Sequence, residues 1–203
     1  NKSVVTITFS EGVSNFSNAD LQVEGGTLTD LVSSAGDTIW TGTFTATDDS
    51  TTNAKVKFAD SANYTDDALN DGATDVEAVA VVDTVSPDFA NGTFIIAETD
   101  LDDSNRTSVV TINFTEPVTE FSNADVSVVG GTLSDLGSTN GGNTWTAIFT
   151  ANDDSTNAGS ISVSGEYTDL VGNIGAIGGE ATVAVDTTNP TATVTFAQDG
   201  LND

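Results

Sequence analysis

Apolar and polar residues alternate along most of this chain, and the period is two. In the stretch 108–114, Val110, Ile112 and Phe114 fall on one side and Thr111 and Asn113 on the other, the pattern of a half-buried β-strand. The same alternation runs through Val126 and Val128 about Ser127, through Trp145, Ala147 and Phe149 about Thr146 and Ile148, and through Ile161 and Val163 about Ser162. Ala181, Val183 and Val185 close the set. With a first strand at 94–97 and a short one around 132–136, this stretch predicts about seven strands, the number in an immunoglobulin-like sandwich. Gly130-Gly131 and Gly141-Gly142 supply turns. No helix is needed, and the expected fold class is all-β, as tandem immunoglobulin-like β-sandwich domains.

The pattern occurs twice. Ser3 to Phe9 matches Ser108 to Phe114, Glu11 matches Glu116, Phe16 to Asp20 matches Phe121 to Asp125, and Trp40 matches Trp145, each pair 105 residues apart. Tyr64-Thr65-Asp66 matches Tyr167-Thr168-Asp169 at 103. A period near that length is a whole domain. Each copy ends in the same joint, Val82-Asp83-Thr84-Val85-Ser86-Pro87 and Val185-Asp186-Thr187-Thr188-Asn189-Pro190. In each, an Asp closes one strand and a proline with fixed φ opens the next segment. The expected organisation is a repeat at 1–83 lacking its first strand, a complete repeat at 84–186, and at 187–203 the first strand of another. In that last stretch Val194-Thr195-Phe196-Ala197 corresponds to 94–97, and Leu201-Asn202-Asp203 to Leu101-Asp102-Asp103. The plainer expectation is a window on a longer tandem array. The sharper one is that the tail strand of one chain completes the first domain of the next. Either way, an unpaired strand edge is expected to be filled.

Charge changes the picture most. Against 31 acidic residues stand only Lys2, Lys55, Lys57 and Arg106, a net charge of −27. Nothing here could neutralise phosphates, so nucleic acid is excluded as a partner, and anionic membrane surfaces with it. No run is long enough to insert into a membrane, and the first residues do not have the pattern of a secretory leader. Unpaired negative charge at this density destabilises a compact fold unless salt or bound cations offset it. The chain has no Cys, His or Met. A metal held here is therefore a hard one with oxygen ligands.

The acids sort by loop. In a seven-strand sandwich, alternate loops fall at opposite ends. The outgoing end of the second repeat carries Glu98, Asp100, Asp102, Asp103, Asp153, Asp154 and Asp186, and its incoming end carries Glu116, Asp169 and Asn173. In the first repeat, Asp48 and Asp49 share the outgoing end with Asp83. Stacked repeats bring Asp48, Asp49 and Asp83 towards Glu116, Asp169 and Asn173, a carboxylate and amide cage suited to Ca2+. Asp100-Leu101-Asp102-Asp103-Ser104-Asn105 has the acidic spacing of a calcium loop but lacks the glycine and downstream Glu of an EF-hand. Each cluster alone also reads as a solvated acidic loop. Trp40 and Trp145 read as core, Phe16 and Phe121 as plugs of the sandwich end, Tyr64 and Tyr167 as hydroxyl donors to a nearby loop, and Asp20 and Asp125 as turn formers.

The Asp-Thr-x-x-Pro joint, the block from Phe9 to Asp20 and again from Phe114 to Asp125, the Gly-Thr-Leu turns and Asp169-Leu170-Val171-Gly172-Asn173 resemble the bacterial immunoglobulin-like repeats of giant surface adhesins, including the extender regions of RTX-type adhesins. The resemblance covers the whole chain. It implies extracellular, cell-surface sandwiches that space an adhesive tip from the cell, with calcium stiffening the joints. No pocket-forming insertion interrupts the repeat, and what duplicates faithfully is scaffold, so no enzymatic activity is expected. The partners implied are neighbouring repeats of the same chain, or identical chains end to end. In the first repeat the last element reads Asp66-Asp67-Ala68-Leu69-Asn70, without the glycine. The alternatives are a subunit of an extracellular filament or surface layer built by strand exchange and, less well supported, a carbohydrate-binding module.

Overall fold

The structure is a computed structural model that describes residues 1–197, apart from the side chains of residues 91–93. The expected match of Leu201, Asn202 and Asp203 lies outside the described residues. The chain divides into two compact units, Asn1–Ser86 and Pro87–Asp203.

Unit 1 contains β1 (Lys2–Thr8), β2 (Val13–Ser14), β3 (Leu21–Glu24), β4 (Gly26–Ser34), β5 (Ile39–Ala46), β6 (Ala54–Phe58), β7 (Thr65–Asp66) and β8 (Glu77–Ala80). One sheet has the order β1-β5-β4 and the other β3-β6-β8, with a short β2-β7 ladder between loops. Unit 2 contains β9 (Phe89–Ile96), β10 (Asp100–Asp102), β11 (Thr107–Phe114), β12 (Val118–Thr119), β13 (Val126–Val129), β14 (Gly131–Ser138), β15 (Thr144–Ala151), β16 (Gly159–Val163), β17 (Thr168–Asp169) and β18 (Gly178–Asp186). Its sheets are β14-β15-β11-β9 and β10-β18-β16-β13, with β12-β17 as the short ladder. Among the described residues, every strand pairing is antiparallel except β10 with β18, which is parallel.

The period-two reading fixes which side chains face the core. On β11, Val110 and Ile112 are 0% exposed and Phe114 is buried, while Thr111 and Asn113 are only partly covered. Phe149 from β15 and Ile161, Val163 and Val183 from the opposite sheet meet them in one cluster. Burying side chains of this size contributes about 1.5–3 kcal/mol each before entropy is counted. The two tryptophans pack against the cores from partly buried positions, and each indole N–H donates to a turn carbonyl, Trp40 to Asp37 and Trp145 to Gly142.

Two further expectations hold. The Ser-Asn-Ala-Asp stretches form single 3₁₀ turns, Asn18–Asp20 and Asn123–Asp125, each closed by a capping box from Ser17 or Ser122. The tyrosine hydroxyls donate to loop carbonyls, Tyr64 to Ala73 at 2.6 Å and Tyr167 to Ala176 at 2.7 Å. Burial raises the pKa of both phenols. Gly72 and Gly175 make this contact possible, because a Cβ at either would run into the tyrosine ring.

One element was not expected. Asp100-Leu101-Asp102 is an edge strand and not an isolated loop, with Leu101 2% exposed and paired to Val185. Its alternating acids follow from strand geometry: the middle residue turns inward, so its two neighbours turn out.

Candidate functional site

The candidate acids lie on loops that the strands hold in place, and in each unit one threonine ties the outgoing loop to the joint. In unit 2, Thr187 is 0% exposed. Its N–H donates to the Ser155 carbonyl at 2.9 Å, its hydroxyl accepts the Ser155 N–H at 2.9 Å, and the hydroxyl donates to the Asn152 carbonyl at 2.9 Å. In unit 1, Thr84 does the same with Ser50 and Thr47: its N–H donates to the Ser50 carbonyl at 3.0 Å, and its hydroxyl donates to the Thr47 carbonyl at 2.7 Å. The clamp ties the loop that carries Asp48 and Asp49 to the residue after Asp83, and the loop that carries Asp153 and Asp154 to the residue after Asp186. Sequence reasoning missed it, although the threonine stood in both copies of the Asp-Thr-x-x-Pro joint.

Asp48, Asp49, Asp153, Asp154 and Asp186 are exposed and Asp83 is half-buried, and several of these acids already hold protein groups. Asp83 Oδ1 accepts the Val85 N–H at 3.1 Å. Asp186 Oδ1 accepts the Thr188 N–H and, at 2.7 Å, its hydroxyl. Asp48 Oδ1 accepts from the Asn1 amide at 2.6 Å. Asp49 and Asp154 take the same left-handed backbone, φ 53° and 50°, which Asp tolerates better than most residues. Asp153 is paired with Arg106 at 2.9 Å. Asp102 lies opposite Asp186 in the β10–β18 register, like charge against like. Hydrogen bonds from the Ser104 hydroxyl and from the Asn105 and Ser104 N–H groups to Asp102 hold its carboxyl below the usual carboxylate range. Glu98, Asp100 and Asp103 are exposed on the same edge.

At the incoming end of unit 2 the geometry is tighter. Asp169 is 3% exposed. Its Oδ1 accepts three N–H groups, from Val171 at 2.8 Å, Gly172 at 2.7 Å and Asn173 at 2.9 Å, and its Oδ2 accepts the Asn173 side-chain amide at 2.7 Å. Burial works against the charge, but these donors outweigh it, and the carboxyl lies below its ordinary range. A carboxylate oxygen of half-buried Glu116 lies within 4.8 Å of one on Asp169. The structure therefore brings Glu116, Asp169 and Asn173 together as the sequence predicts. The corresponding turn of unit 1, which lacks the glycine, keeps its shape. Asp66 Oδ1 accepts the Asn70 N–H at 2.8 Å and Oδ2 the Asn70 amide at 2.7 Å, while Leu69 adopts φ 68° where Gly172 has 94°. Hydrogen bonds from the Asn70 side chain and backbone lower the Asp66 carboxyl as well.

Two stacked sheets, a tyrosine tied to its loop and a clamped outgoing joint define an immunoglobulin-like module, present here in two copies. The model of the bacterial Ig-like domain matches residues 1–82 and again 83–185, and the chain belongs to that family. No curated protein matches the chain. Among solved structures, InvD of Yersinia pseudotuberculosis is similar at 18% identity and a TM-score of 0.40, over 98% of this chain and 60% of that one. Invasin, a bacterial integrin-binding protein, is similar at 12% identity and 0.33, over 91% of this chain and 36% of that one. Domains 4–9 of the surface layer protein SbsC are similar at 16% identity and 0.29, over 95% and 30%. These are likenesses of fold, to invasin-type adhesins among others, and the chain spans 60% or less of each of these proteins. No helix among the described residues is long and apolar enough to cross a membrane.

Proposed function

We propose that the chain is part of the spacer of a bacterial cell-surface adhesin, extracellular and non-catalytic, whose repeats are stiffened by Ca2+ at their joints. The observation that carries this reading is the duplication of the scaffold together with its joint. Both units end on the same clamp, Thr84 on Ser50 and Thr187 on Ser155, with matching bonds. A binding face would call for a loop or pocket that sets one copy apart, whereas a spacer calls for the same module with the same exit.

Calcium suits the donors. The acids and amide on either side of the joint, Asp48, Asp49 and Asp83 before it and Glu116, Asp169 and Asn173 after it, offer hard oxygens. Asp169 stays ionised well into acid, so its oxygens remain donors at any physiological pH. A bound divalent ion would also offset the repulsion of a chain carrying −27. The test is calorimetry and small-angle scattering of the whole chain in calcium and in chelator. Calcium is expected to raise the melting temperature and narrow the distribution of distances. Identical curves in both buffers would remove calcium from the reading, and an Asp83→Asn variant with an unchanged calcium response would move the ion elsewhere.

A further inference from the structure

Asn1, Asn15, Asn63, Asn91, Asn105 and Asn113 each begin an Asn-x-Ser/Thr triplet, the acceptor pattern for N-linked glycans. The pattern alone is weak in a chain so rich in Asn, Ser and Thr, but the fold separates the copies. In Asn15-Phe16-Ser17, Asn63-Tyr64-Thr65 and Asn113-Phe114-Thr115 the middle residue is a buried core aromatic. Such a triplet cannot swing out to an enzyme without opening the sandwich. Two of the three hydroxyls are also committed. Ser17 Oγ donates to Asp20 and accepts the Ala19 N–H, and Thr115 Oγ1 accepts the Asp88 N–H at 3.0 Å. Asn113 is half-buried, and its Oδ1 accepts the Thr144 hydroxyl at 2.7 Å. Asn1 gives its amide to Asp48. The side chains of Asn91-Gly92-Thr93 lie outside the described residues.

Asn105-Arg106-Thr107 differs on each of these counts. It follows the turn that joins β10 to β11, and both Asn105 and Thr107 are exposed. Asp102 holds the Asn105 backbone: the Asn105 N–H donates to Asp102 Oδ1 at 2.9 Å, and the Asn105 carbonyl accepts the Asp102 N–H at 3.2 Å. Among the described residues no hydrogen bond uses the Asn105 side-chain amide or the Thr107 hydroxyl. A fixed turn therefore presents two unused polar groups at the acceptor spacing. The middle residue is Arg106, which bonds the Ala151 carbonyl at 3.0 Å and pairs with Asp153, contacts outside the core that yield easily. Exposed Asp103 adds a third group. Asn105 is the only one of these asparagines with an acid two residues before it in this sequence. Bacterial oligosaccharyltransferases read an acid in that place, where it offers a carboxylate to a basic group of the enzyme.

We infer that Asn105 is the acceptor for an N-linked glycan, transferred to the folded chain from a lipid-linked oligosaccharide, with Asp103 and Thr107 as the groups the transferase reads. In the transfer, Asn105 Nδ2 attacks the anomeric carbon of the sugar. The new C–N bond forms as the C–O bond to pyrophosphate breaks, polyprenyl pyrophosphate leaves, and the amide proton passes to a base of the enzyme. The inference rests on the extracellular part of the proposed function, because this transfer takes place on the outer side of the bacterial inner membrane. It does not rest on calcium.

The test supplies the enzyme, so it reads the site wherever the chain resides. The purified folded chain is incubated with a bacterial oligosaccharyltransferase, its divalent cation and lipid-linked oligosaccharide. A synthetic Asp-x-Asn-x-Thr peptide in a parallel tube reports that the enzyme is active. Mass spectrometry is expected to find a single glycan per chain, on Asn105, and none on Asn105→Gln. Transfer is expected to slow at least about tenfold in Asp103→Asn and in Thr107→Val, as loss of one recognition hydrogen bond would give. All three changes fall at exposed positions, and the Trp145 urea transition is expected to stay in place. A second transferase, which reads only Asn-x-Ser/Thr and takes hexose from a nucleotide donor, isolates the share of the fold. It is expected to modify Asn105 at least about tenfold faster than Asn15, Asn63 or Asn113, because a buried middle residue is released only by local unfolding. With the four triplets as short peptides that preference is expected to shrink. An unmodified chain beside a modified control peptide, or transfer to Asn15, Asn63 or Asn113 as fast as to Asn105, would overturn the inference. A glycan on Asn105 with a joint indifferent to calcium would leave it standing and remove only the calcium.

Discussion

Units 1 and 2 share most of their inward-facing sequence, yet they bury it to different depths. Ile7 and Ile112 occupy one position of the repeat, but Ile112 is fully covered and Ile7 is half-covered. The residues at these positions are the same, so the difference comes from the neighbour. A strand that fits a sandwich does not complete one, because a sheet face is closed by the next strand over. Burial, and the stability it brings, is a property of the assembled sheet.

The largest test inverts that ranking. Unit 1 is expected to unfold at lower urea than unit 2, followed by fluorescence in a Trp145→Phe variant that leaves only Trp40 to report on unit 1 and a Trp40→Phe variant that leaves only Trp145 to report on unit 2. Phe149→Ala in unit 2 removes a fully buried ring at a cost of about 3–5 kcal/mol, which is expected to bring the Trp145 transition to or below that of Trp40. Next in size is the clamp. Thr187→Val keeps the shape but strands the Ser155 N–H and the Asn152 carbonyl, at about 1–3 kcal/mol. Thr84→Val, where the threonine is only half-buried, is expected to cost less by the same urea measurement.

Asp169 sharpens the comparison through pH. Its folded pKa lies below the ordinary value of about 3.9, so its contribution is fully present above that value and is lost as pH falls through the folded pKa. Asp169→Asn leaves its turn N–H groups facing an amide, at about 1–3 kcal/mol. An acid titration of the Trp145 signal should be flatter in this variant below about pH 4. The smallest effect belongs to the Arg106–Asp153 pair. Asp153→Ala is expected to shift unit 2 by less than about 1 kcal/mol, and by less still in high salt.

Much of this was legible in the sequence for a physical reason. Period-two alternation reports which face of a strand is wet, so Val110, Ile112, Phe114, Ala147 and Phe149 could be placed before any coordinates. Tyr167 and Asp125 were legible because a lone hydroxyl or carboxylate beside a turn has few uses besides bonding it. Pairing was not legible. Nothing in Asp100-Leu101-Asp102 says that it lies parallel to β18, because three residues are too few to show a period. The Thr187 clamp was hidden because threonine is everywhere in this chain, and only its partners make it special. Of the site residues, the acids Glu116 and Asp169 and the amide Asn173 could be grouped because loop parity brings them to one end. That Asp169 is buried and receives four donors depends on local backbone turns that parity cannot express.

The parallel pairing of β10 with β18 bears on how unit 2 would carry a load. A tensile pull that enters at Pro87 and leaves at Thr187 draws Asp100 one way and Asp186 the other, along the strand axes. The bonds between them must then rupture together and cannot open one at a time. In single-molecule stretching, unit 2 is expected to yield at a higher force than unit 1, where β8 has no such neighbour among the described residues.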